Sequence, residues 1–340
     1  MDRVNQLNNI SNLSSNGVDF LNLLYSNIRS DLHPSFSITS KATGGITYMH
    51  QEDGNFYVCH KFLSNGDFIL SENVTADILL VAGGGGGGYQ VGGGGGAGGL
   101  IYRPSKDLSA STYSIVVGLG GNGSPNGSTE GTIGGDSTFG SILTAKGGGR
   151  GANHVVVTRA KDGGSGAGGS GNNSTQNESG GTSTQSSQSG DSGTYGFGNV
   201  GGEGEATNWS GGGGGGAGTK GEAATLLQAG YIGGNGGSGK YYGDKFGTSV
   251  GEDGWFAGGG GGCGSNDYRH SYGGRGGGAK GYSNYGYYHK GLTTGDDAIS
   301  NTGGGGGGVR DRYDGSTNYT RAGNGGSGIV IVRYKVAEYA

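Results

Sequence analysis

The sequence predicts a mainly β and irregular protein, in which a short N-terminal helix and a small antiparallel β unit precede a packed lattice of polyglycine II helices with Tyr-rich loops and a closing strand. Three observations carry this expectation. Of 340 residues, 90 are glycine, and they crowd into uninterrupted runs at 83–88, 92–96, 211–216, 258–262 and 303–308. The residues before Ala82 contain period-two apolar segments instead. The glycine region then ends on Ile329-Val-Ile-Val-Arg-Tyr334, an ordinary apolar strand.

Residues 1–34 are expected to form a helical attachment or oligomerisation segment. Val18, Leu21, Leu24 and Ile28 recur at three- and four-residue steps between Asn16-Gly17 and Pro34, the spacing of one apolar helix face. That face either packs on its own domain or forms the seam of a homotrimer. Residues 35–82 form the small antiparallel β unit. Phe36–Ser40, Ile46–His50, Phe56–His60, Lys61–Leu63, Asp67–Leu70 and Ala76–Val81 read as short strands. Gly44-Gly45, Asp53-Gly54 and Asn65-Gly66 are the turns between them, the last being the strongest hairpin signal.

Residues 83–340 form the glycine-rich domain. Only 30% of the chain is apolar, which leaves too little for a conventional core of this size, and only 14% is charged, which is low for a disordered chain. Backbone hydrogen bonding must then replace apolar burial. Extended polyglycine winds as a left-handed helix of three residues per turn with every N–H and C=O pointing outward, and those groups require partners. Glycine alone lets neighbouring helices approach closely enough to supply them. A run of six spans roughly 19 Å on that rise. The strand segments Tyr113–Val117 and Phe139–Ala145 and the closing Ile329–Tyr334 bracket the region, which opposes a flexible linker.

Polar and aromatic insertions interrupt the glycine, at Gly193–Ser210, Lys240–Phe256, Asn266–Tyr272, Tyr282–Leu292 and Val309–Arg321. Tyr, Ser, Gly and Asn together suit recognition, because Tyr offers large rigid contact area and the others adaptable hydrogen bonding. The expected receptor-binding residues are Tyr241, Tyr242, Phe246, Trp255, Phe256, Tyr268, Tyr272, Tyr282, Tyr285, Tyr287, Tyr288, Tyr313 and Tyr319. Removing Lys240–Phe256 or Tyr282–Leu292 is expected to abolish binding and leave folding intact.

Catalysis finds little support. Glu203 with Glu205, Glu252 with Asp253 and Asp296 with Asp297 lie in polar insertions without an apolar pocket. The six histidines, His33, His50, His60, His154, His270 and His289, lack metal-ligand spacing, so no enzyme, cofactor or metal is expected. Cys59 and Cys263 read as two free thiols, with a long-range disulfide between them as the alternative. The net charge of −4 and the lack of repeated Arg-Gly-Gly oppose a nucleic-acid partner, leaving Arg150-Gly151 and Arg275-Gly276 as the sole hints of a glycine-rich RNA-binding protein. No run approaches the ~18 apolar residues of a membrane span, and Met1–Ser30 does not read as a secretory signal, so release by lysis is the expected route out of a cell.

The stretch Ala76–Tyr102, ADILLVAGGGGGGYQVGGGGGAGGLIY, and the stretch Gly323–Tyr334, GNGGSGIVIVRY, resemble the start and end of the glycine-rich domain of tailed-bacteriophage tail fibres and receptor-binding adhesins, especially those of marine and cyanobacterial phages. His60–Phe62 and Gly66–Phe68 are similar to the strand pair before it. The resemblance covers about residues 55–335 and leaves Met1–Ser35 unmatched. It implies an adhesin role, with loops at the distal end of the lattice binding a host surface protein or polysaccharide. Residues 1 to about 80 are then expected to attach to the tail fibre or another virion part, and what Met1–Ser35 docks onto stays open. The alternative within the virion is a capsid or tail decoration protein without receptor binding.

Overall fold

The computed structural model describes residues 40–126, 128–154, 159–172, 176–207, 209–227, 230–265, 270–283, 294–310 and 321–337. The expected N-terminal helix with Val18, Leu21, Leu24 and Ile28 lies outside them, as do Tyr268, Tyr285, Tyr287, Tyr288, Tyr313 and Tyr319.

Two antiparallel sheets form the base. Their strands are β1 (Ala42–Thr43), β2 (Ile46–Glu52), β3 (Asn55–Phe62), β4 (Gly66–Leu70), β5 (Val74–Val81), β6 (Leu100–Leu108), β7 (Thr112–Val116), β8 (Ser137–Phe139), β9 (Leu143–Ala145), β10 (Gly196–Phe197) and β13 (Ile329–Ala337), while β11 (Lys240–Tyr241) and β12 (Trp255–Phe256) form a separate pair. The larger sheet has the order β10-β6-β5-β13-β3-β2 and the smaller one β1-β4-β7-β8-β9. The closing strand β13 sits between β3 and β5, pairing Val330 with Phe62 on one side and with Leu80 on the other. The expected boundary at Ala82 is therefore corrected. The β unit and the glycine region share one sheet, because the chain returns across the whole lattice to complete it.

The near-continuous apolar runs of β5 and β13 follow from burial on both faces. Ile78 and Leu80 of β5, with Val330, Val332 and Tyr334 of β13, face the smaller sheet and pack with Phe68, Ile115, Phe139 and Leu143. Leu79, Val81, Ile329 and Ile331 face the other way, onto the lattice, and meet Ala97, Leu100, Phe246, Phe256 and Ala257. Period two thus divides one apolar run between two cores. Asn65-Gly66 does not make a hairpin. Strands β3 and β4 lie in different sheets, and the Asn65 side-chain oxygen accepts from the Val117 amide at 2.9 Å, fixing a corner.

Above the sheets the glycine runs pack side by side, with a hydrogen-bond period of three. In the run 83–88, Gly83 and Gly86 donate to Gly135 and Thr132, Gly84 and Gly87 to Gly326 and Gly323, and Gly85 and Gly88 to Gly96 and Gly93. Their carbonyls accept in the same rhythm, Gly83 and Gly86 from Gly148 and Gly151, Gly84 and Gly87 from Gly121 and Ser124, and Gly85 and Gly88 from Gly306 and Val309. The run therefore has six neighbours, three reached through N–H and three through C=O. Runs 92–99, 211–218 and 303–309 are surrounded in the same manner. The core of this region is made of backbone, with most amides and carbonyls satisfied by an adjacent helix.

Close approach explains the composition. A Cβ on Gly85 would lie 2.1 Å from the Gly149 oxygen, on Gly214 1.9 Å from the Gly95 oxygen and on Gly260 2.1 Å from the Gly306 oxygen. No side chain fits at these positions. Alanine occurs at a few lattice positions, as at Ala97, Ala152, Ala167 and Ala257, all fully buried.

Candidate functional site

The register of the lattice sorts its connections between two ends. Gly83 leaves β5 and Gly99 enters β6, so the sheet end holds residues 82–83 and 99. The opposite, distal end holds Gly88 and Gly92, joined through Tyr89, Gln90 and Val91. Ser124 bonds to Gly87, Val309 to Gly88, Cys263 to Gly92 and Ala152 to Gly93, so the chain leaves the lattice distally after each of them. It does so again after Gly171, Gly204, Ala224 and Tyr282, as the pairings of Gly169 with Gly202, Gly213 with Glu222 and Tyr282 with Gly308 show. Ser124, Ala152, Gly204, Cys263, Tyr282 and Val309, from which the chain departs at these points, consequently share one end, opposite the sheets.

The insertion Lys240–Phe256 does not belong to that end. It follows Gly239 and precedes Ala257, which bonds to Thr302 and Ala217 at the sheet end. There β11 pairs with β12, and the four-residue helix α1 (Gly243–Phe246) lies on β2. Tyr48 Oη donates to the Phe246 carbonyl at 2.8 Å, and the His50 ring bonds the Asp244 carbonyl at 2.7 Å. Phe246 and Phe256 are fully buried and Tyr242 nearly so, packed with Cys59 and Ile331. These three expected receptor contacts are corrected to core residues. In sequence, aromatics of a polar insertion look alike whether they face solvent or fold back onto a sheet.

An ion cluster fastens this insertion. The buried Arg333 of β13 reaches Glu52 at 2.7 Å and Asp77 at 2.8 Å, donates to the Lys245 carbonyl, and lies 4.2 Å from the Tyr57 ring. Lys245 also pairs with Glu52. Burial pushes the Glu52 carboxyl up, but the Lys245 and Arg333 hydrogen bonds outweigh it and hold the group below its ordinary value.

Among the expected aromatics that reach the surface, Tyr241 and Trp255 lie at the sheet end with ring centroids 5.5 Å apart, and the Arg275 guanidinium sits 4.8 Å from the Trp255 ring. Tyr272, 66% exposed, sits just inside the distal end with its amide donating to the Asn235 side chain at 2.8 Å. Half-buried Tyr282 donates to Asp296 at 2.8 Å and meets the His270 ring at 4.7 Å. Two further candidate carboxylates have structural partners. Glu252 accepts from the Gly276 and Gly277 amides, and Asp297 forms a two-pronged pair with Arg321.

The middle of the distal face is built by residues outside the expected set. Trp209, next to the run 211–216, lies 4.8 Å from the His154 ring, and its carbonyl accepts from the Arg310 guanidinium at 3.2 Å. His154 in turn donates its amide to the Gln90 carbonyl at 3.2 Å. Burial and the nearby Arg310 charge lower the His154 pKa. A sequence signal for this group exists in hindsight: Tyr89–Val91 and Trp209 are bulky residues abutting glycine runs.

Cys59 and Cys263 are buried free thiols. Burial pushes Cys59 up to about 12 and Cys263 up to about 11, so neither is a reactive thiolate near neutral pH. Among the described residues no group of three His, Cys, Asp or Glu is placed to hold a metal ion, and no helix is long and apolar enough to cross a membrane.

The architecture defines a class of protein in which laterally bonded glycine helices close on a sheet at one end, where the 240–256 insertion also lies, and carry further connections at the other. A family model described as glycine-rich domain matches residues 64–335, and the chain belongs to that family. No curated protein matches the chain.

Proposed function

We propose that this chain is the adhesin of a tailed-phage virion, binding the host cell surface through the distal end of its glycine lattice. The supporting observation is the segregation of connections. Loops that include the Tyr-rich stretches at 264–270, 283–293 and 310–320 all leave from one end, while the sheets and the chain's approach from Ser40 occupy the other. A lattice of saturated backbone bonds holds that end rigidly and offers a protease few openings. Residues 1–39 precede the sheet end, where they are suited to join a tail or fibre protein.

The test is electron microscopy of virions labelled with an antibody against the chain, paired with adsorption in the presence of purified full-length protein. Label at the distal tips of fibres and competition for adsorption are expected. Label distributed along the shell or tube, without competition, would replace the adhesin by a decoration protein. Absence of label from virions would overturn the assignment.

A further inference from the structure

The middle of the distal face combines strain, unmet hydrogen-bonding capacity and an aromatic ring. Among the described residues, eight that are not glycine have positive φ, and three of these meet here: Gln90 at 55°, Val91 at 63° and Trp209 at 64°. Left-handed backbone is costly for bulky residues and most costly for a β-branched one, whereas glycine adopts it freely. A chain with 90 glycines has nonetheless placed Trp and Val at these positions. Strain of this kind persists where the surroundings enforce it, and it gathers at binding sites.

Two polar atoms in the same place lack partners. His154 Nδ1 and Ser210 Oγ are shielded from solvent without a hydrogen bond, and Ser210 directly follows Trp209. Gly171 joins them. A Cβ there would lie 2.7 Å from the Ser210 amide, and the Gly171 backbone bonds the His154 ring. Buried polar groups are normally satisfied, so orphaned ones beside an aromatic ring mark where a ligand's polar atoms belong. Arg310, anchored on the Trp209 carbonyl, brings positive charge to that residue. Glu205 pairs with Ser210 through backbone bonds in both directions, and its carboxylate accepts from the Thr207 amide at 3.1 Å, within its own turn.

We infer that His154, Trp209, Ser210 and Arg310 form a subsite for one acidic sugar unit of a host surface polysaccharide. The indole offers a face to the apolar side of a pyranose ring. The Arg310 guanidinium pairs with its carboxylate or sulfate, and the imidazole and hydroxyl bond its ring hydroxyls. The inference rests on the adhesin assignment and narrows its partner from any envelope component to an anionic saccharide.

Titration calorimetry of the full-length protein with tetragalacturonate, tetrasialic acid and a heparin tetrasaccharide, with maltotetraose as the neutral comparison, tests it. At least one acidic tetrasaccharide should bind at least about tenfold tighter than maltotetraose, and Arg310→Gln should remove that preference. Trp209→Gly is the sharper variant. It relieves the strained φ, so its Tm should equal or exceed that of the parent while acidic-saccharide binding falls at least about tenfold. Failure of every acidic probe to bind, or binding unchanged in both variants, overturns the subsite. Attachment of labelled protein to host cells separates the two levels. Attachment that survives Trp209→Gly sinks the subsite and leaves the adhesin, whereas a parent protein that does not attach removes the adhesin itself.

Discussion

Glycine at single positions is the unit of this structure. Where a helix in the lattice has six neighbours, the space for a Cβ is already filled by a carbonyl oxygen, as at Gly95, 2.1 Å from the Gly85 oxygen, and at Gly214. Gly95→Ala or Gly214→Ala should therefore destabilise the protein by about 3 kcal/mol or more, read from chemical denaturation, because the backbone on both sides would have to separate. Leu119, 77% exposed on the lattice flank, provides the comparison: Leu119→Ala should change stability by about 0.5 kcal/mol or less. Equal effects at Gly95 and Leu119 would contradict a core made of backbone.

At the scale of elements, the closing strand and the 240–256 insertion depend on one another through Arg333. Removing its guanidinium leaves Asp77 without its cation and Glu52 with Lys245 alone, both carboxylates partly buried, so Arg333→Ala should cost about 3–5 kcal/mol in a denaturation experiment. The pH dependence has a definite sign. Glu52 ionises more readily in the folded chain than at its ordinary 4.5, so the unfolded chain takes up the proton first as pH falls. The stabilisation from this carboxylate is fully present above about pH 4.5 and is lost as pH drops through the lower folded value. Thermal melts from pH 6 to pH 3 should show this loss, and Glu52→Gln should flatten it. Deletion of 240–256 should lower Tm strongly by uncovering Cys59, Leu79 and Ile331, whereas deletion of 284–293 should leave Tm nearly unchanged, since it joins the distal ends of two lattice segments. These elements were readable only in part. The strands of residues 46–81 and the closing strand show their period or apolar run in the sequence, but the side of the molecule to which an insertion returns depends on the direction of its flanking helices. Tyr242, Phe246 and Phe256 were for that reason indistinguishable from recognition aromatics until the register placed them beside β2.

Across the whole molecule, protection should follow the hydrogen-bond network rather than apolar burial. Amides of Gly85, Gly95, Gly214, Gly260 and Gly306 each donate to a neighbouring glycine helix, and hydrogen exchange there should be as slow as in β5 and β13. Rapid exchange across those runs would show them to be spacers. The sequence by itself determined the material of the fold. Glycine runs too long for any other core, set between apolar strands, require lateral backbone bonding, because nothing else in the chain can satisfy their amides. Only the tertiary structure decided which end of each helix carries its connection, that β13 returns between β3 and β5, and that Trp209, His154 and Arg310 meet. The physical reason is that a glycine helix has no side-chain pattern to record its direction or its neighbours. Those are fixed by the three-residue hydrogen-bond register between segments distant in sequence.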